Sequence, residues 1–175
     1  MKEYQLKKGK HSAKGIHFGL TFKKKLKFKA KFDKSCLYSY SKHIQDRYDV
    51  NKLFGFSTTW YHHKQSSRVG WRCLDNENIE LFSYIYTGGK LLLEYLKEPI
   101  AIVKPNEEFT FEITDSETFC SFEFKRIIEK EKEINHNVKV IDKSPDWFLF
   151  HYYLFPFFGG DLTAPHDMKL YIDIL

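Results

Sequence analysis

Residues able to do chemistry gather in two places along the chain. The first is Tyr61-His62-His63-Lys64-Gln65-Ser66-Ser67-Arg68, a polar tip between two alternating apolar runs. Trp60 stands just before it, and Arg72 and Tyr84 follow in the next runs. Imidazoles, guanidinium groups and hydroxyls together form a recognition set. Arginine donates paired hydrogen bonds to a carboxylate, a phosphate or vicinal hydroxyls, and aromatic rings stack on flat apolar ligand faces. The second place is FFGGDLTAPHD, residues 157–167, where Gly159-Gly160 permits a sharp turn and Pro165 fixes φ ahead of His166. Asp161 and His166 are its candidates for polar contact with a ligand. Imidazole and carboxylate also suit metals. No HxH or HExxH spacing joins His62, His63, Asp161, His166 and Asp167, so neither a metal site nor a cofactor is expected. GxSxG, P-loop and Rossmann glycine patterns do not occur. What remains for an enzyme is His63 or His166 as general acid or base.

These side chains need elements to hold them. Alternation predicts strands over residues 53–60, 69–73 and 79–86, each with one buried face. Val69, Trp71 and Cys73 form the apolar set of the second strand, and Ile79 and Leu81 that of the third. Matching these faces across the turn-like Asp75-Asn76-Glu77-Asn78 puts Arg72 opposite Glu80, Gly70 opposite Phe82 and Arg68 opposite Tyr84. The outward face then carries Arg68, Arg72, Phe82, Tyr84 and Tyr86. With Phe54 and Phe56 inward, the same count turns Tyr61 and His63 outward and Trp60 inward unless the strand end is bulged. A solvated face has little use for aromatic rings beside guanidinium groups. Such a face is either a ligand site or is covered by another layer, a loop or a subunit.

The rest of the chain reads the same way. Short strands are predicted over residues 3–8, 16–22, 26–32, 100–103, 109–113, 119–124, 138–141 and 168–174. In the second of these Ile16, Phe18, Leu20 and Phe22 share one face. Residues 33–51 break the pattern and read as a long surface loop or a short helical turn, and Thr87-Gly88-Gly89-Lys90 is a hairpin signal, with residues 91–96 returning. Residues 126–133 are the one segment of helix-forming composition and equally read as a charged edge strand, which their neighbours favour; Asn135 to Asn137 read as a turn, Ser144-Pro145-Asp146 as a break and residues 148–158 as an aromatic-rich run. About ten to twelve short strands and no helix predict an all-β, antiparallel β-sandwich or jelly roll, one domain over residues 1–175.

Composition agrees. Of 175 residues 42% are hydrophobic, and 17 Phe with 11 Tyr favour pleated, half-buried surfaces. No apolar run approaches the roughly 18 residues of a membrane span, so no membrane partner is expected. The opening MKEYQLKKGKHSAKG lacks the apolar core of a secretory signal, which points to a cytoplasmic protein or one packaged in a virion. Cys36, Cys73 and Cys120 are widely spaced and read as small buried hydrophobes. Residues 1–34 hold twelve lysines against Glu3 and Asp33, so the remainder of this +5 chain is net negative. In the stripe from Lys23 to Lys31, lysines alternate with Leu26, Phe28 and Ala30 at a period of two. That is a routine solvated strand face, and otherwise a contact for an acidic protein surface in an assembly; nucleic acid is not expected.

Three pieces carry a family resemblance: NKLFGFS at 51–57, HHKQSSRVGWR at 62–72 and FFGGDLTAPHD at 157–167. They resemble a family of small, uncharacterised β-sandwich proteins of gut-type bacteria and their phages, over nearly the whole chain except residues 126–146. The resemblance implies a sandwich of lectin or glucanase type and no particular activity. The readings carried forward are therefore three. The first is a non-catalytic module binding a glycan through Trp60, Tyr61, His62, His63, Arg68, Arg72, Tyr84, Asp161 and His166. The second is a structural or accessory protein of a phage capsid or tail. The third is an enzyme acting on a polysaccharide or nucleotide.

Overall fold

The computed structural model describes residues 1–39, 49–128, 132–142 and 150–175. Its elements are β1 (Lys2–Leu6), β2 (Leu20–Thr21), β3 (Lys25–Phe32), β4 (Asn51–Ser57), β5 (Ser66–Cys73), β6 (Ile79–Thr87), β7 (Lys90–Leu91), β8 (Ala101–Val103), β9 (Phe109–Asp115), β10 (Phe119–Ile128), β11 (Lys132–Asp142), β12 (His151–Leu154) and β13 (Met168–Ile174). Short 3₁₀ turns occupy Lys34–Cys36 and Leu93–Leu96, and no α-helix occurs among the described residues. The strands form two antiparallel sheets, one in the order β1-β13-β3-β9-β10-β11 and the other β2-β12-β4-β5-β6-β7, with β8 also on β6. The fold is an all-β sandwich.

Alternation builds the core between the sheets. On β3, Leu26, Phe28, Ala30 and Phe32 are buried. Phe28 meets Phe54 of the other sheet edge-on at 5.3 Å, and Phe32 meets Trp71 at 5.0 Å. Apolar burial of this kind is the main favourable term in folding. The lysines of β3 point the other way, and two of them meet acids on and just before β9: Lys25 pairs with Glu112 at 2.9 Å and Lys29 with Glu108 at 3.0 Å. All three cysteines are buried and free, with Cys36 Sγ donating to the Lys169 carbonyl and Cys120 Sγ to Ser67 Oγ.

The structure departs from the expected elements in four places. Around β2 only two residues are strand, and Ile16, Phe18, Leu20 and Phe22 are exposed instead of sharing a buried face. β2 is an edge strand tied to β12 by two residue pairs, which leaves the run no sheet to lie against. The turn expected at 135–137 is strand, because these residues pair with Lys125, Phe124 and Glu123. Ladder pairing overrides local turn preference there. The return strand after the Gly88-Gly89 hairpin ends at Leu91 and passes into the 3₁₀ turn. Finally, Trp60 is exposed and not inward, because β4 stops at Ser57 and its period does not reach residue 60. Residues 40–48 of the expected loop at 33–51 and the expected break at 144–146 lie outside the described residues.

Truncating Phe28 leaves a void where both sheets meet. Phe28→Ala is expected to lower the unfolding free energy by about 3–5 kcal/mol in urea titration. Phe18→Ser, on the exposed run, is expected to shift it by less than about 0.5 kcal/mol.

Candidate functional site

The outward face of the second sheet is built row by row. Arg68 pairs with Tyr84, Gly70 with Phe82 and Arg72 with Glu80, as alternation predicts. On the other side of β5, Gly55 lies opposite Arg68 and Lys52 opposite Gly70. Three residues on β4 thus span two on β5, a β-bulge between Lys52 and Phe54. Leu53 and Phe54 both enter the core, and Lys52 turns outward beside Arg68. Only glycine fits at 55: a Cβ there would stand 2.2 Å from the Ser67 carbonyl and 2.8 Å from Arg68 Cγ.

A second segment, residues 155–160, is strapped across the start of β4. Phe157 and Lys52 exchange two backbone hydrogen bonds of 2.8 and 2.9 Å, and Lys52 Nζ donates to the Gly159 carbonyl at 2.7 Å. Gly159 N donates to Asn51 Oδ1 at 2.6 Å, and Gly160 N donates to the Asp49 carboxylate. Gly159 sits at φ 65°, where a Cβ would strike the Leu162 carbonyl. Between this strap and the end of the β5–β6 hairpin opens a cleft of about 580 Å³. Tyr84, Tyr86 and Phe157 supply rings, with Arg68, Lys52, Ser66 and His62–His63 as polar groups.

Burial sets the charge states. Lys52 is held down to about 8 by burial; Arg68 adds to this while Asp49 and Asp161 oppose it. Burial lowers Arg68 to about 10. His62 falls to about 4 through burial and then through His63, Arg68 and Lys52, so it is neutral at pH 7. The Tyr84 hydroxyl is pushed up by burial and by Tyr86, and stays a neutral donor and acceptor. Lys52 Nζ also lies 4.8 Å from the centre of the Tyr84 ring.

Of the residues singled out from the sequence, His62, His63, Arg68 and Tyr84 line the cleft. His63 packs on Tyr86 at 5.0 Å, and its Nδ1 is 3.1 Å from the Tyr61 hydroxyl. Tyr61 and Trp60 are largely exposed on the tip without lining the cleft, Trp60 set edge-on to Phe150. Arg68 belongs to β5, not to the loop of the tip. Arg72 is committed to Glu80 and lies over the Phe82 ring. Asp161 is exposed, and its charge acts on Lys52 from outside the lining. His166 donates to the Ser35 carbonyl at 2.8 Å and takes no part in the cleft. Sequence reasoning missed Lys52, because a straight period places it inward with Phe54 and Phe56. A lysine at that parity inside an apolar strand is itself the signal of a bulge.

No protein-family model matches the chain, and no curated protein matches it in sequence. Similarity to solved structures is at the level of shape. An alginate lyase from Klebsiella pneumoniae superposes with a TM-score of 0.55 at 9% identity, over 86% of this chain and 59% of the lyase. The chain therefore spans less than two thirds of that enzyme's length, and the likeness is one of fold. The CBM2 module of the evolved Dit of Lactobacillus casei BL23 phage J-1 gives 0.41 at 12% identity, over 98% of this chain and 75% of the module. The carbohydrate-binding module CBM66 from Bacillus subtilis gives 0.32 at 8% identity, over 93% and 77%.

The depressed Lys52 value has a signed consequence. Between about 8 and 10.5 the unfolded chain holds a proton on Lys52 that the folded chain has released, so stability from this group rises with pH across that window. Lys52→Met is expected to remove a rise of about 3 kcal/mol, read by urea unfolding at a series of pH values. Gly55→Ala, in the same assay, is expected to cost about 1–3 kcal/mol through the clash at Ser67 and Arg68.

Proposed function

We propose that this protein is a non-catalytic, carbohydrate-binding β-sandwich module whose ligand lies in the cleft beside Arg68. The observation that carries the reading is the composition of one open cleft, in which the Tyr84, Tyr86 and Phe157 rings stand among hydrogen-bonding groups of Arg68, Ser66 and His63. A pyranose offers a flat C–H face for a ring to stack on and hydroxyls at its edge for polar groups to fix. Tyr84 is favoured further because its raised hydroxyl stays protonated at all physiological pH values and so can both donate and accept. The Klebsiella protein of similar fold is an alginate lyase; its likeness supports the scaffold, and the cleft supports the ligand class. Trp60 and Tyr61, exposed on the tip next to the cleft residues His62 and His63, extend the available stacking surface.

The reading of a phage capsid or tail component, docked through the lysines of β3 on an acidic surface, has less support. Lys25 and Lys29 already meet Glu112 and Glu108 across the ladder, and Lys31 lies over the Tyr171 ring.

The test is a thermal-shift and calorimetry panel of soluble oligosaccharides against the full chain. A binding glycan at a hundredfold excess over its Kd is expected to stabilise the fold by about 2.7 kcal/mol. Tyr86→Ala is expected to weaken that binding by about tenfold, read by calorimetry and by the ligand-induced shift from the variant's own free midpoint. A panel on which no glycan shifts the midpoint retires the glycan reading.

A further inference from the structure

The glycan reading leaves the sugar class open, and the charge of the cleft narrows it. Building on that reading, we infer that the cleft takes an acidic saccharide, the carboxylate of a uronic acid-type sugar seating against Lys52 and Arg68. Three observations converge on this seat. The first is its one-sided charge. Lys52 and Arg68 are both buried to more than nine-tenths and both line the cleft, whereas no Asp or Glu among the described residues does. Neither cation has a carboxylate within ion-pair distance among the described residues. Buried charges are ordinarily paired, since an unpaired one forgoes hydration with nothing in return.

The second observation is an internal control on the same strand. β5 points two guanidinium groups to the same face, four residues apart. Arg72 finds Glu80 directly opposite on β6 and pairs with it. Arg68 finds Tyr84 opposite, a neutral phenol. One Arg68 Nη2 hydrogen bond goes to the Phe155 carbonyl at 2.7 Å, and its buried Nε has no partner. The sheet matches one arginine internally and leaves the other turned toward the cleft.

The third is what surrounds Lys52. The carboxylates that act on it are Asp49, which accepts from Gly160 N, and Asp161, which is exposed; neither lines the cleft. Their pull does not restore the amine to its ordinary range, because burial and Arg68 outweigh it. An incoming carboxylate would supply the missing counter-charge to both cations, while its sugar ring meets Tyr84 and Tyr86. A sulfate ester on a sugar shares the charge but not the planar, two-oxygen geometry that a guanidinium fork matches best.

Calorimetry on the full chain tests this with oligogalacturonate and oligoglucuronate, their methyl esters, neutral oligosaccharides of the same lengths, and a sulfated oligosaccharide. The acids are expected to bind at least about tenfold tighter than their esters, with the difference shrinking as salt rises from about 50 to about 500 mM. Lys52→Met, which retains the buried stem and the backbone bridge to Phe157, is expected to narrow the gap between acids and esters, with Arg68 holding the remainder. The comparison of acid with ester uses the unaltered protein, so it does not depend on how the variant folds. Equal binding of acid and ester overturns the acidic-sugar inference and leaves the glycan reading standing. Binding of the sulfated sugar but of neither uronate overturns the choice of carboxylate. Binding of no saccharide at all removes the glycan reading and this inference with it.

Discussion

One extra residue in β4 determines the character of this molecule. Without the bulge between Lys52 and Phe54, the strict period of two would drive the Lys52 ammonium into a core of phenylalanines. With it, two successive apolar residues enter the core and the lysine emerges on the opposite face. The cost of a charge at such a place is large unless it is hydrogen-bonded, so the rest of the site is arranged around it. The Gly159 carbonyl, the Tyr84 face and the backbone bridge to Phe157 all converge on that one residue. Glycine at 55 follows from the same geometry, since the stem of Arg68 must lie where a side chain would otherwise stand.

The strap shows how distant parts of the chain become one surface. Residues 155–160 are about a hundred positions from β4, yet they contribute a carbonyl to Arg68, another to Lys52 and a wall to the cleft. Asn51 ties the two together by accepting from Gly159 N and donating to the Tyr38 hydroxyl. The first two of the three sequence pieces, together with the FFGG part of the third, meet at this point. The APHD part does not, for His166 is spent on Ser35 and Asp167 on Lys7 and Lys8.

This distribution explains what could be read from the sequence. The Arg68–Tyr84 and Arg72–Glu80 pairs were legible because a four-residue turn and clean alternation fix register locally. The all-β sandwich was legible for the same reason, repeated along the chain. Lys52 was not, because a bulge leaves no trace in periodicity except a misplaced charge. The strap was not, because its contacts are set by tertiary packing across a hundred residues. Residues 135–137 look like a turn until β10 offers them a ladder, and the apolar alternation of residues 16–22 promised a buried face that an edge strand has no means to provide.

The three thiols bear on what holds such a fold together. Each is sealed in the interior, and the Cys36 thiol is pushed far from ionisation by its burial. Thiolate is the form that attacks disulfides and oxidants, so a sulfur kept protonated and out of reach takes part in neither. The sandwich draws no strength from cross-links and offers no handle for forming them. Its integrity therefore rests on packing and strand pairing and not on a disulfide among these three cysteines.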